Sequence, residues 1–172
     1  MNINGLNKKV IDLSNTLKSY DVDVCLLSET HRPNLVSRRK LKDAGYTSFF
    51  NTIGGNAGTG IVIRDKLKDF VVKNDTIIKG RIQFLSLKIR ESMYNLYCVY
   101  LQSGEKNTII ENGRYARPKQ IKELHDHAKL NIDKDEQIVI GGDFNFVEKA
   151  EIDRLSTESS NACDLRNQEA ID

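Results

Sequence analysis

The chain has 172 residues, 39% hydrophobic and 29% charged, which suits one domain over 1–172 with a core of its own. A net charge of +2 excludes a generally basic nucleic-acid surface, so any such surface must be local; no apolar run is long enough to span a membrane, and no signal-peptide pattern opens the chain. Three cysteines, Cys25, Cys98 and Cys163, show no CxxC spacing and read as reduced, mostly buried thiols of an intracellular protein rather than as disulfides or metal ligands.

In chain order, Met1-Asn2-Ile3-Asn4-Gly5-Leu6 places two amides before a glycine. Asn7 is the expected N-cap of a helix reaching about Tyr20, with Val10, Leu13 and Leu17 on one apolar stripe. An apolar strand follows through Val24-Cys25-Leu26-Leu27-Ser28, and it delivers Glu29-Thr30-His31 at its C-terminal edge, where open α/β sheets place ligands. Glu29 alone reads as a surface acid; His31 reads as a ligand, a phosphate contact or a solvated loop residue. Leu35 to Lys42 predicts a short basic helix carrying Arg38 and Arg39. Tyr46 to Asn51 predicts a strand, and Gly54 to Gly60 a glycine-rich loop that lacks the GK[ST] of a P-loop.

Ile61 to Ile63 and Phe70 to Val72 read as strands on either side of a polar stretch. Ile82 to Ile89 and Tyr94 to Leu101 read as an antiparallel pair turned at Arg90 to Met93. The loop from Gln102 carries Lys106, Arg114 and Tyr115 and leads to Arg117 and Lys119. A helix begins near Pro118, with Ile121, Leu124 and Ala128 as its core stripe and His125 and His127 near the surface. Those two histidines diverge on a helix and cannot share a metal.

The last predicted strand organises the rest. Ile138-Val139-Ile140 is a β-branched apolar run of the kind buried on both faces, and Gly141-Gly142 permits positive φ or close approach. Asp143 and Asn145 then share one side of an extended segment, where a carboxylate and a carboxamide can hold a water and a phosphate oxygen. A plain turn rich in Gly, Asp and Asn is the other reading. Ile152-Asp153-Arg154 follows, and then Ser/Thr/Asn-rich sequence.

Asn2-Ile3-Asn4-Gly5-Leu6, Ser28-Glu29-Thr30-His31, Tyr97-Cys98-Val99-Tyr100, Gly141-Gly142-Asp143-Phe144-Asn145 and Ile152-Asp153-Arg154 occur in this order. Together they resemble the endonuclease/exonuclease/phosphatase superfamily, and most closely the apurinic-type endonuclease domain of non-LTR (LINE-like) retrotransposons. The resemblance implies an α+β fold, a four-layer α/β/β/α sandwich of two mixed β-sheets. It implies Mg²⁺-dependent (Mn²⁺ as the alternative) nicking of DNA to prime reverse transcription, with DNA as partner and the nucleus as site of action. Carried over by position, Glu29 is the metal ligand. Asp143 orients or deprotonates the attacking water, Asn2 and Asn145 position the metal environment, the water or the phosphate, and Tyr100 contacts the scissile phosphate. Two carboxylates about 4 Å apart repel by about 4 kcal/mol at an effective dielectric of about 20, and a divalent cation relieves that. Arg38, Arg39, Arg114 and Arg117 are the expected phosphate contacts, with a solvated face as the other reading.

The family's C-terminal Asp-His pair, usually preceded by Ser, does not occur in this chain, whose last histidine is His127. The first strand and the C-terminal strands are accordingly expected to be missing, as in an internal fragment or a decayed copy. The 172 residues alone are then expected to nick DNA weakly or not at all. Two other classes stay open: a phosphoesterase of the same superfamily acting on small phosphorylated molecules, and a catalytically dead nucleic-acid-binding or interaction remnant.

Overall fold

A computed structural model of the chain describes residues 1–55, 57–102 and 117–145. Lys106, Arg114, Tyr115, Ile152, Asp153, Arg154 and Cys163 lie outside the described residues. Among the described residues, two sheets are formed. The first has the order β1-β3-β2, from β1 (Val24–Ser28), β2 (Tyr46–Ile53) and β3 (Ala57–Arg64), all antiparallel. The second has the order β4-β5-β6-β7, from β4 (Val71–Ile78), β5 (Ile82–Ile89), β6 (Ser92–Tyr100) and β7 (Gln137–Asp143). It is antiparallel until the β6–β7 pair, which is parallel and makes this sheet mixed. A parallel neighbour needs a crossover, and helix α3 (Arg117–Asn131) lies within it.

Side-chain alternation on the strands separates three apolar layers. Val62 turns outward to meet Val10, Leu13 and Leu17 of α1 (Val10–Ser19) and Leu41 of α2 (Leu35–Asp43). Its neighbours Ile61 and Ile63 turn inward, where Leu85, Leu87, Leu96 and Cys98 of the second sheet meet them. Phe84 and Tyr97 face the far side, under Leu124 of α3. The α/β/β/α order of layers therefore follows from the period-two pattern of each strand. Cys98 sits between the sheets with its thiol donating to the Leu27 carbonyl at 3.1 Å, and burial pushes its pKa up to about 12.

Several local expectations are corrected. Asn7 does not cap α1, whose N-cap residue is Lys9; its carboxamide instead ties down the entry to α2 through Arg32 O, Asn34 N and Ser37 Oγ. Residues from Ala57 onward, read as loop, belong to β3, where Gly60 lets the Phe50 ring lie against the strand. β4 runs on to Ile78, well past the apolar triplet, and residues Asp65–Phe70 form a 3-10 turn. Ile121 is exposed, and Gln120 is buried on that face of α3. His127 is not a surface residue: its ring packs on Phe84 and accepts or donates at Nδ1 with the Tyr97 hydroxyl at 2.9 Å.

The largest correction concerns Ile138, Val139 and Ile140, read as buried on both faces. They are 47%, 47% and 44% exposed, because β7 is the edge of its sheet among the described residues and pairs only with β6. No helix among the described residues is long and apolar enough to cross a membrane.

Candidate active site

The site is built where the C-terminal ends of β1, β6 and β7 reach the same end of the sandwich. The N-terminal segment joins them there. Asn2 forms a parallel bridge with Ser28, with Ile3 N donating to Ser28 O at 3.0 Å. The pairing continues as Gly5 N donates to Glu29 O at 2.8 Å and Leu6 N to Thr30 O at 3.2 Å. The first six residues thus act as an additional strand segment beside β1, which places Asn2 next to Glu29 in space.

On the second sheet, register places Tyr100 opposite Asp143. Gly142 makes that pairing possible. Its φ is +141°, and a Cβ there would stand 1.9 Å from the Val99 carbonyl oxygen, so only glycine lets β7 approach β6 this closely.

The two halves meet through hydrogen bonds. Asn2 Nδ2 donates to Asp143 Oδ2 at 3.0 Å, and the Asn145 N–H donates to Asp143 Oδ1 at 3.0 Å. Both oxygens of the carboxylate are held, which fixes a single orientation. Asn2 is itself fixed, since its Oδ1 accepts from Asn4 N at 3.1 Å. The Asn145 carboxamide anchors on Leu101 O at 2.8 Å, and Leu101 N donates to Asp143 O at 2.9 Å. Tyr100 is half-buried, with its phenol beside the Glu29 carboxylate. Burial, and then the Glu29 carboxylate, hold its pKa above the usual tyrosine range, while the Arg81 guanidinium beside it pulls the other way.

Backbone strain is concentrated here. Asn4, Glu29, His31 and Asn145 have φ of 44°, 54°, 56° and 50°, four of the six left-handed non-glycine residues among those described. Asparagine tolerates this region, but for Glu29 and His31 it costs about 1–3 kcal/mol each, a pattern typical of residues held in place for a task. The His31 ring packs against Gly5, and Thr30 is buried, so the Glu-Thr-His triplet presents Glu29 from an anchored base.

Of the residues singled out from sequence, the structure brings together Asn2, Glu29, Tyr100, Asp143 and Asn145. Arg117 stands beside them, its Nη1 donating to Asn145 O at 2.9 Å. Arg38 lies 4.8 Å from the Phe50 ring centroid, and Arg39 faces Asp43 across a solvated turn of α2. Arg114 is outside the described residues. Sequence reading missed Arg81, whose guanidinium carbon lies 4.4 Å from the Tyr100 ring centroid. The signal was available in the hairpin: counting the ladder outward from the Arg90 turn sets Arg81 opposite Tyr100.

The donor set is made of hard oxygens, two carboxylates and two carboxamides, at a partly open sheet end. Among the described residues no three His, Cys, Asp or Glu side chains gather as a closed metal cage. Hard oxygen donors of this kind fit a hard divalent cation.

The comparisons with known proteins agree with this architecture. Residues 1–162 match the model of the Endonuclease/Exonuclease/phosphatase family. The chain is 29% identical over 151 residues to the transposon TX1 uncharacterized 149 kDa protein of Xenopus laevis, a match that covers 85% of this chain and 11% of that protein. Among solved structures it is similar to humanized D. rerio TDP2, with a TM-score of 0.66 and 21% identity, covering 88% of this chain and 62% of that one. It is also similar to the endonuclease domain of TRAS1, a telomere-specific non-LTR retrotransposon, with a TM-score of 0.61 and 13% identity over 86% of this chain and 57% of that one. The chain thus spans under two thirds of each of these relatives, and a small part of the transposon protein. With the family model matched over nearly all of its length, the chain belongs to the endonuclease/exonuclease/phosphatase family.

Proposed function

We propose that this chain is a divalent-metal-dependent DNA endonuclease of retroelement type, which nicks a phosphodiester to prime reverse transcription on chromosomal DNA in the nucleus. The observation that carries the reading is the meeting of these residues at one sheet end: Asn2 and Asn145 bind Asp143, Tyr100 pairs with Asp143 in the ladder, and the Tyr100 phenol lies beside Glu29. The similarity to a transposon protein supports the retroelement assignment.

Glu29, with Asp143 nearby, would hold Mg²⁺ or Mn²⁺. Such an ion, when bound, neutralises charge developing on the phosphate and lowers the pKa of a water on it. The chain's own residues supply the rest. Asp143 is held by two donors in the orientation needed to accept a proton from the attacking water. Asn2 and Asn145 keep that carboxylate oriented without adding charge to the site. The Tyr100 phenol, beside Glu29, would donate to a phosphate bound there, and Arg117 steadies the Asn145 backbone.

The test is nicking of supercoiled plasmid with the protein in excess, so that one cut per plasmid registers and a slow rate is still read. Nicking is expected with Mg²⁺ or Mn²⁺ and not with EDTA, and Asp143→Ala should slow it about 100- to 10,000-fold. Nicking that needs no metal, or equal nicking by Asp143→Ala, would overturn the reading. Phosphate release from small phosphorylated molecules without nicking would favour the phosphoesterase branch, and metal-independent DNA retention without nicking the binding remnant.

A further inference from the structure

Arg81 stands at the turn between β4 and β5, and three contacts fix it to Tyr100. Its carbonyl accepts from the Tyr100 N–H at 2.8 Å, its Nη1 reaches Tyr100 O at 3.4 Å, and its guanidinium covers the ring face at 4.4 Å. Stacking uses the face of the planar guanidinium and remains compatible with hydrogen bonding at its edge, the geometry by which arginine meets phosphates. The side chain is half-buried, so it is both ordered and reachable.

The turn that presents Arg81 is held from the opposite sheet. Asn51 of β2 is 5% exposed, and its Nδ2 donates to Ile78 O at 2.9 Å and Ile82 O at 3.2 Å. Its Oδ1 accepts from Gly80 N at 2.8 Å. A single buried carboxamide therefore bonds to backbone before, within and after the turn. Gly80 has φ of +70°, and a Cβ there would stand 2.2 Å from Ile53 Cγ2, so the turn is pressed directly onto β2.

A phosphodiester entering beside Glu29 and Asp143 meets two carboxylates. A bound cation offsets part of that charge, and a fixed arginine at the ring of Tyr100 is placed to offset more. We propose that Arg81 is a positioning residue for the substrate phosphate, pinning the Tyr100 ring and supplying fixed positive charge, and that Asn51 of the opposite sheet holds Arg81 in that place. The proposal rests on the phosphodiester reading above and adds a residue and an anchor to it.

The experiment measures binding of a labelled DNA duplex to the full chain in Ca²⁺ over a series of salt concentrations. Arg81→Gln should weaken binding about 10- to 100-fold and lower the log-log salt slope by roughly one. Arg81→Lys should keep the slope and recover only part of the affinity, since it keeps the charge and loses the planar stack. In a Tyr100→Leu background, Arg81→Gln should lose most of its effect, because the two residues act as a unit. A second readout needs no DNA. The Arg81 Hε resonance should be shifted by the aromatic ring and should return toward the exposed value in Tyr100→Leu, and in Asn51→Ala if that variant stays folded. An Arg81→Gln protein that melts like the parent and keeps its affinity and slope would overturn the proposal. If the parent chain binds no duplex, the phosphodiester reading fails, and the Hε shift alone then decides the clamp, its absence overturning it.

Discussion

Tyr97 and Tyr100 lie on the same strand, three residues apart, and the structure uses them oppositely. An odd spacing on a strand sends the two side chains to opposite faces. Tyr97 is fully buried under α3, its ring tilted against Phe84 at 4.9 Å, with its hydroxyl on His127 Nδ1 and its pKa pushed up to about 12 by burial. Tyr100 is half-buried at the strand end, with its ring under Arg81 and its phenol beside Glu29. One closes a packed layer, whereas the other ends at an open, strained and charged edge. Residue type does not separate them; face and depth do.

The comparison is most sharply broken by removing each hydroxyl in turn. Tyr100→Phe should slow single-turnover plasmid nicking about 100- to 1000-fold, the usual cost of one preorganised donor to a developing oxyanion, with little change in urea stability. Tyr97→Phe should leave nicking near the parent rate and cost about 1 kcal/mol in urea titration, the net worth of one buried hydrogen bond. Equal effects of the two substitutions on rate would erase the distinction.

Gly142→Ala tests the backbone approach that sets Tyr100 opposite Asp143. With a Cβ at 1.9 Å from a carbonyl oxygen and φ at +141°, a cost of at least about 2 kcal/mol is expected, together with loss of nicking. A stable, active Gly142→Ala protein would mean that the β6–β7 approach is not needed.

The smallest expected effect is a pH dependence on the Tyr97 side. Burial, and then Lys73, hold the His127 pKa below the ordinary value, while Asp75 opposes them less strongly. The neutral ring is thus favoured in the folded state. Its contribution is fully present above the unfolded value of 6.5 and is lost as pH falls from there through the lower folded value. The difference in melting temperature between the parent and His127→Gln should therefore shrink as pH drops below about 6.5. A difference that grows on acidification would show that the Asp75 pairing dominates instead.

What was legible in the sequence divides along the same line. Strand and helix identities, the stripe of α1 and the hairpin of β5 and β6 follow from periodicity, because each depends on neighbours in sequence. The five polar residues at the sheet ends were legible as motifs, since glycine, carboxylate and carboxamide recur there at fixed offsets. What failed needed knowledge of the third dimension. A run such as Ile138-Val139-Ile140 reads identically in a central strand and at an edge. Asn7 has the chemistry of a cap, but it bonds to the backbone of Arg32 and Asn34 before α2 instead of to α1. His127 looked solvated because its partners come from β5 and β6, far away in the chain. Arg81 was hidden among many surface cations until the hairpin register set it on Tyr100.

The central claim is that Glu29, Asp143, Asn2, Asn145 and Tyr100 form one metal-assisted centre, and Mn²⁺ broadening of NMR signals tests it most directly. Substoichiometric Mn²⁺ should bleach the side-chain amide signals of Asn2 and Asn145 and the ring signals of Tyr100, while those of Tyr94, at the far end of β6, persist. In Glu29→Gln the same addition should leave all of them sharp. Bleaching centred elsewhere in the chain, or undiminished in Glu29→Gln, would contradict the account.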